Sequence, residues 1–562
     1  MPPLLQRLHA ARGATCRDDA QPRLARLHAP HALSGLDAAV ALLVEAIARD
    51  RHIVVVGDFD CDGATACAVG VRGLRMLGAK RVSHAVPNRR IHGYGLSPAL
   101  VDELAARQPD LLVTVDHGIA CHAGIAAARA RGWQVLVTDH HLPGESLPPA
   151  DAIVNPNQRG DAFPSKALAG VGVMFYLLLA LRAASREQDG PAGDADLASL
   201  LDLVAVGTIA DLVPLDVNNR ALVAAGLRRL RAGQGHAGLR ALVEVAGRDE
   251  RTLCAGDIGF ALAPRINAAG RLQDMAIGIE CLLCDDPAQA RTLAATLHAI
   301  NAERQVVQQD MLDEADAALA RLGPEGDAPL LPCLFDPGWH PGVVGLVASR
   351  LKERLHKPVF AFAPAEPGGA MLRGSARSIA GLHVRDLLAA VDAAHPRLIE
   401  RFGGHAMAAG LSLAAVSLPA FRAALADHAA RLLDPALLQH AVVSDGELQP
   451  DELDFHHACL LRDGGPWGQG YPEPLFDGVF EVLRWRVVGE RHLKLELGVG
   501  GRRVDAIQFG GWDGEPPPSS VRLAYQLEVD TYRGGEAIQL RALHREPAMT
   551  ALPGPAPVAQ PA

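Results

Sequence analysis

Residues 53–63 read IVVVGDFDCDG: four β-branched apolar residues, then Asp58, Asp60 and Asp62 alternating up to Gly63. An apolar run of that length predicts a buried strand, and the alanine-rich, helix-periodic stretch behind it predicts a strand, a turn and a helix. The pattern recurs. LLVTV at 111–115 ends in Asp116, and VLVT at 135–138 ends in Asp139, His140 and His141. Apolar strands alternating with helical stretches predict βαβ units on a parallel sheet, whose strand ends border the ligand crevice. Three aspartates within five residues repel one another, and the dipole of the following helix offsets only part of that cost. A bound cation is the simpler compensation. With Asp211 from AVGTIADLVPL, the donors are carboxylates and imidazoles without thiolates, which suits Mn2+ or Mg2+ better than structural zinc. Taken singly, each aspartate also reads as a helix cap.

The chain of 562 residues is long enough for several domains. We expect a lead segment at 1–45, a catalytic α/β domain at 46–225, a helical connector at 226–325, a second α/β domain at 326–435, a β-barrel at 440–546 and a flexible tail at 547–562. Within the connector, Leu293, Leu297, Ile300, Val307, Met311, Ala315 and Leu319 share one face of a long helix over 289–322. The tail is Pro- and Ala-rich. No segment has the apolar length of a membrane span and the first residues lack the pattern of a secretory signal, so a cytoplasmic protein is expected. The nine cysteines are scattered, and the one CxxC, Cys281 with Cys284, lies in a helical stretch and reads as core. A net charge of −10 is unusual for a phosphate-binding protein, so local arginine clusters have to supply the attraction.

GDFDCDG, VTVDHG, VTDHH and ADLVPL, in that order, resemble motifs one to four of the DHH phosphoesterases. The resemblance implies hydrolysis with two divalent cations, Mn2+ or Mg2+. It places Asp58 on one cation, Asp60, His140 and Asp211 on the other, and Asp116 between them. His141 would contact the scissile phosphate, with Asp62 and Asp139 in support. Cys61 stands where alanine is common in the family and Phe59 where tyrosine is common; neither change removes a ligand.

RFGGHAMAAG at 401–410 resembles the signature of the DHHA1 domain, in which Gly403 and Gly404 admit a phosphate to the backbone amides and His405 donates a hydrogen bond. VPNRRIHGYGLS, APRINAAGR, FDPGWHPGVVGLVASRL and LRGSARS resemble segments of the RecJ branch. They offer Arg89, Arg265, Arg271, His340, Arg350, Arg373, Ser375 and Arg377 to a sugar-phosphate backbone. The barrel region resembles the OB fold of that branch; of Trp467, Tyr471, Trp485, Phe509 and Trp512, at least half are expected in the core and the rest are candidate base-stacking residues.

Together these resemblances imply a 5′-to-3′ exonuclease that converts single-stranded DNA to 5′-mononucleotides in recombination and repair. They also imply single-strand-binding protein and a RecQ-type helicase as partners. The rivals are a DHH enzyme acting on short RNA or dinucleotides and a non-catalytic nucleic-acid-binding relative.

Overall fold

The computed structural model describes residues 1–88, 91–187, 190–320, 330–439, 441–548 and 558–559. The fold is mixed α/β, as the alternation of strand and helix patterns predicts. Its contacts divide into two compact units, one of Met1–Gly270, Asp274–Ala295 and Val442–Ala562, the other of Arg271–Gln273 and Thr296–Ala441.

In the first unit, β1 (Ile53–Val56), β2 (Val82–Ala85), β3 (Leu111–Val115), β4 (Gln134–Thr138) and β5 (Ala152–Val154) form one sheet in the order β2-β1-β3-β4-β5. All its pairings are parallel. β1 and β3 are buried at every residue, which explains why their sequences, Thr114 apart, are apolar rather than alternating. Val54, Val56, Leu112, Val135 and Val137 pack with Leu100, Val101, Ile125 and Ala128 from helices Pro98–Leu104 and His122–Ala130. Helix Cys61–Met76 approaches β1 closely, since a Cβ on Gly70 would sit 3.2 Å from Val55 Cγ1. The order reverses direction at β1, and that is where a doubly wound sheet opens a crevice beyond its strand ends.

The same unit holds a barrel of β11 (Phe476–Val488), β12 (His492–Val499), β13 (Arg502–Gln508), β14 (Ser520–Val529) and β15 (Ile538–Pro547), following the five strands of the other unit in the chain. The order β12-β13-β15-β14-β11 closes because β11 also pairs with β12. Closure leaves no long free edge. Of the expected tail, residues 549–557 and 560–562 lie outside the described residues.

The first twelve residues of the expected lead segment pack into this architecture. Helix Pro3–Ala11 buries Leu4, Leu5 and Leu8, and the Arg12 guanidinium donates to both oxygens of Asp445, at 2.8 and 2.9 Å. His9, 2 % exposed, stacks on Trp467 and shares a 2.7 Å hydrogen bond with the Tyr471 hydroxyl.

The second unit contains β6 (Cys333–Phe335), β7 (Val359–Pro364), β8 (Met371–Arg377), β9 (Arg401–Gly404) and β10 (Ala408–Ala414) in the order β6-β7-β8-β10-β9. Among the described residues of this sheet, only β6 and β7 are parallel neighbours. One face packs Phe360, Phe362, Leu372 and Leu411 against Leu387, Leu388 and Phe421, and the other packs Val359, Ala361 and Ala363 against Val344, Val347 and Leu351 of helix Val344–Leu355. The long helix runs over Pro287–Ala320. Positions 321 and 322 of the span expected for it lie outside the described residues. Among the described residues no single helix is long and apolar enough to cross a membrane.

His9 gives the N-terminal contact a pH dependence. Burial, then the charges of Arg220 and Arg12, pull its pKa down from 6.5 to about 4. The unfolded chain therefore binds an extra proton between those values, and stability present above pH 6.5 is lost as the pH falls toward 4. Melting curves from pH 7.5 to 4.5 should show a shallower decline for His9→Gln than for the wild type; equal slopes would remove His9 as the cause.

Candidate metal centre

Three strand ends and one helix end assemble the site. After β1 the chain folds back so tightly that a Cβ on Gly63 would lie 2.5 Å from the Asp58 nitrogen. Asp58 is thereby sealed to 3 % exposure, while Asp60 caps helix Cys61–Met76 by accepting the Gly63 N–H at 3.0 Å. Asp62, one residue into the helix, points inward instead. Its two oxygens accept the N–H groups of Gly170 and Val171, at 2.6 and 3.0 Å, from the start of helix Gly170–Glu187. Asp116 follows β3 with φ +65° and lies so near that helix that a Cβ on Gly170 would meet its Oδ1 at 2.6 Å. Asp211 ends helix Leu201–Ala210, which packs on Cys61–Met76 so closely that a Cβ on Gly207 would lie 2.7 Å from Asp62 Oδ1.

His140 Nε2 lies 3.1 Å from Asp116 Oδ1 and 3.4 Å from Asp211 Oδ2. Both of those carboxylate oxygens are buried and accept no hydrogen bond. Oxygens so arranged around a nitrogen fit coordination of a cation. Three groups have ligand atoms mutually within 4.8 Å: Asp58 with Asp60 and Asp116, Asp62 with His140 and Asp211, and Asp116 with His140 and His141. This grouping differs from the division that the resemblance implies. Asp60 groups with Asp58, and it is Asp62, expected only in support, that stands with His140 and Asp211. The reason is helical: Asp60 is the capping residue outside the helix and Asp62 lies on its inner face.

The electrostatics agree with a cation site. Burial, and then neighbouring carboxylates, push the carboxyl groups of Asp62, Asp116 and Asp211 above their ordinary range. Asp139 behaves oppositely. Burial alone would raise it, but hydrogen bonds from His141 and Ile119 hold it below that range. One oxygen of Asp139 accepts His140 N at 2.7 Å, His141 N at 3.0 Å and His141 Nδ1 at 2.8 Å; the other accepts Ile119 N at 2.9 Å. His141 is consequently oriented with Nε2 free of Asp139. Burial opposes its charged form, yet Asp139, Asp211 and Asp58 outweigh it and raise the imidazole to about 9.

Several residues that shape the site escape the motif reading. Asn267 Oδ1 accepts the Cys61 N–H at 2.8 Å, and a Cβ on Gly270 would meet the Phe59 carbonyl at 1.9 Å. The NAAG of APRINAAGR thus braces the aspartate loop. Asn155 and Asn157, in the VNPN that follows β5, donate to the carbonyls of His141 and His140 at 2.9 and 2.6 Å. His117, kept neutral by burial at a pKa of about 4, donates to the Val56 carbonyl at 3.1 Å and ties β3 to β1. Tyr94 sets its ring edge-on to Phe59 and His141.

The expected DNA-contacting residues fall in both units. Arg89 lies outside the described residues. Arg265 donates to the Ala261 carbonyl of its own helical stretch, and Arg271 to Gly342 O at 3.4 Å. His340 Nδ1 accepts the Gly342 N–H, and Arg350 lies 3.6 Å from Glu353. Arg373, Ser375 and Arg377 alternate along one face of β8, where Arg377 donates to Ser375 Oγ at 2.8 Å and Ser349 Oγ at 3.1 Å. A Cβ on Gly345, near the start of helix Val344–Leu355, would touch both Arg377 and Ser375 at 3.1 Å. Guanidinium, hydroxyl and helix N-terminus meet there, a combination suited to an anion. Gly403 sits opposite Gly410, which sits opposite Ser375 on its other side, and Gly404 and His405 turn β9 into β10. Two of the five candidate aromatics are core: Trp467 and Tyr471 are buried with His9 and have no face for a base. Trp485 stacks on Trp512, and Phe509 is exposed.

Comparison with known proteins agrees with this architecture. Residues 52–208 match the DHH family N-terminal domain, 328–431 the DHHA1 domain and 444–544 the RecJ OB domain. The single-stranded-DNA-specific exonuclease RecJ of Dickeya dadantii is 51 % identical over 97 % of this chain and 96 % of its own. The chain belongs to the RecJ family. The RecJ of Escherichia coli is 50 % identical over 96 % of this chain and 95 % of its own. Among solved structures, Thermus thermophilus RecJ in complex with Mn2+ superposes with a TM-score of 0.79 at 35 % identity, covering 98 % of this chain and 76 % of that one.

The brace on the aspartate loop is testable in this RecJ-family chain. Asn267→Ala leaves the N–H of the fully buried Cys61 without its acceptor, at a cost of about 1–3 kcal/mol. Urea melts should show that loss together with reduced turnover; a variant with wild-type stability and turnover would show the contact to be idle.

Proposed function

We propose that this chain is a single-stranded-DNA-specific exonuclease that uses two divalent cations to release 5′-mononucleotides from 5′ to 3′. The observation that carries the reading is the cluster of buried, unbonded carboxylate oxygens around His140, in a chain with the full DHH, DHHA1 and OB complement of the RecJ family. Asp58, Asp60 and Asp116 would hold one Mn2+ or Mg2+, and Asp62, His140 and Asp211 the other, with Asp116 near both sets. Two cations so held lower the pKa of water and neutralise charge developing on a phosphoryl oxygen.

The chain's own groups do the remaining work. Asp139 fixes the His141 tautomer through Nδ1, so that Nε2 donates to the scissile phosphate. Asn155 and Asn157 hold the backbone of the two histidines in place. Arg377, Ser375 and the start of helix Val344–Leu355 form a phosphate subsite, and Phe509, exposed on the barrel, is available to stack on a base. Family membership is the support for 5′ polarity, for recombination and repair in the cytoplasm, and for single-strand-binding protein and a RecQ-type helicase as partners.

The test is digestion of long strands labelled at either end, with Mn2+, against a dinucleotide. Labelled mononucleotide should appear at once from the 5′ label only, and chelation should stop it until Mn2+ is restored. Asp116→Ala and His140→Ala should cut turnover about a thousand-fold or more while leaving the metal-free melting temperature near wild type. Near-wild-type turnover in either variant would overturn the ligand assignment, and preference for the dinucleotide would favour the short-RNA reading.

A further inference from the structure

The loop that follows Asp211 is held by a segment that no motif assigned to the catalytic site. Leu212 adopts φ +60°, a left-handed conformation costly for a branched side chain, and is 69 % exposed, so its own packing does not hold it there. Three residues on, the Leu215 N–H donates to the Gln469 carbonyl at 2.7 Å. Gln469 belongs to the tight turn Gly468–Tyr471, whose ends exchange backbone hydrogen bonds of 2.8 and 3.0 Å. Gly468 lies flat on the loop: a Cβ there would meet Leu215 Cδ1 at 2.8 Å and Ile209 Cδ1 at 3.9 Å, and Ile209 is two residues before Asp211. Gly470 sits against Pro214 in the same way.

The turn is itself anchored. Trp467 Nε1 donates to the Leu461 carbonyl at 2.7 Å, the Tyr471 hydroxyl bonds His9, and the Arg220 guanidinium lies 3.8 Å over the Tyr471 ring. Arg220 is on helix Val217–Arg231, the element that leaves the Asp211 loop. The loop is therefore gripped on both sides of its strained residue by the lead-in to the barrel.

We propose that Trp467–Tyr471 is a positioning clasp for Asp211, setting the affinity of the metal set Asp62, His140 and Asp211 from outside the DHH motifs. The inference rests on Asp211 being a ligand. Clasp residues touch neither metal nor substrate; they act through the loop, as the groups that support metal ligands do when their loss weakens metal affinity about 10–100-fold.

Mn2+ titration calorimetry on the full chain, with melting temperatures in parallel, tests it. Gly468→Ala should raise the Mn2+ dissociation constant of one site about ten-fold, with turnover at saturating Mn2+ within about three-fold of wild type. Val482→Ala, a cavity in buried β11 away from the clasp, should lower the melting temperature and leave Mn2+ affinity unchanged. Equal weakening in both variants, or wild-type affinity in Gly468→Ala, overturns the clasp. If Gly468→Ala fails to melt cooperatively, Tyr471→Phe decides: Mn2+ binding weakened beyond that of Val482→Ala supports the proposal, and unchanged binding or a weakening equal to that of Val482→Ala overturns it. Asp211→Ala separates the two readings. Wild-type binding in that variant sinks the ligand assignment itself, whereas loss of a site there beside unchanged Gly468→Ala sinks the clasp alone.

Discussion

Mutual repulsion among buried carboxylates governs this catalytic unit. Asp58, Asp62, Asp116 and Asp139 are each 3 % exposed or less, and Asp211 is half-buried beside them. Asp139 is compensated by protein hydrogen bonds, through Ile119 and the two histidines. Asp62 has two backbone N–H partners and is still driven upward by burial and by Asp60. In a site so built the alternatives are protonation or cations, and cations leave the carboxylates in their ordinary ionised form.

Much of the surrounding structure serves to hold those charges together against that repulsion. Glycine at 63, 170 and 207 lets backbone and helices approach the aspartates at distances no Cβ permits. Asn267 and Gly270 press on the first aspartate loop, His117 ties two strands at their ends, and the turn at Gly468 grips the loop after Asp211. Rigidity of this kind is what lets a metal site select geometry rather than merely attract charge.

Three of the five strands, β1, β3 and β4, were legible in the sequence because each is a short apolar run followed by Asp or His, whereas β2 (Val82–Ala85) and β5 (Ala152–Val154) carry no such signal. The division of ligands was not legible. Asp60 and Asp62 are two residues apart, and only the start of the helix at Cys61 decides which is a cap and which faces inward. Long-range supports such as Asn267 to Cys61, 206 residues apart, leave no periodic trace. Which of the five aromatics are core was not legible, because aromatic content does not reveal that His9, more than 450 residues earlier, covers Trp467 and Tyr471. The GGH stretch read as a phosphate turn is the β9–β10 connection, and what sequence could not supply was its alignment through Gly410 with Ser375.

The central claim is that the carboxylates divide into two cation-binding sets, and counting the ions tests it most directly. Titration of the metal-free full chain with Mn2+ should give two ions per chain, matching the sets of Asp58, Asp60 and Asp116 and of Asp62, His140 and Asp211, with a melting temperature that rises with Mn2+ concentration. A single bound ion, or none, with an unchanged melting temperature would contradict it.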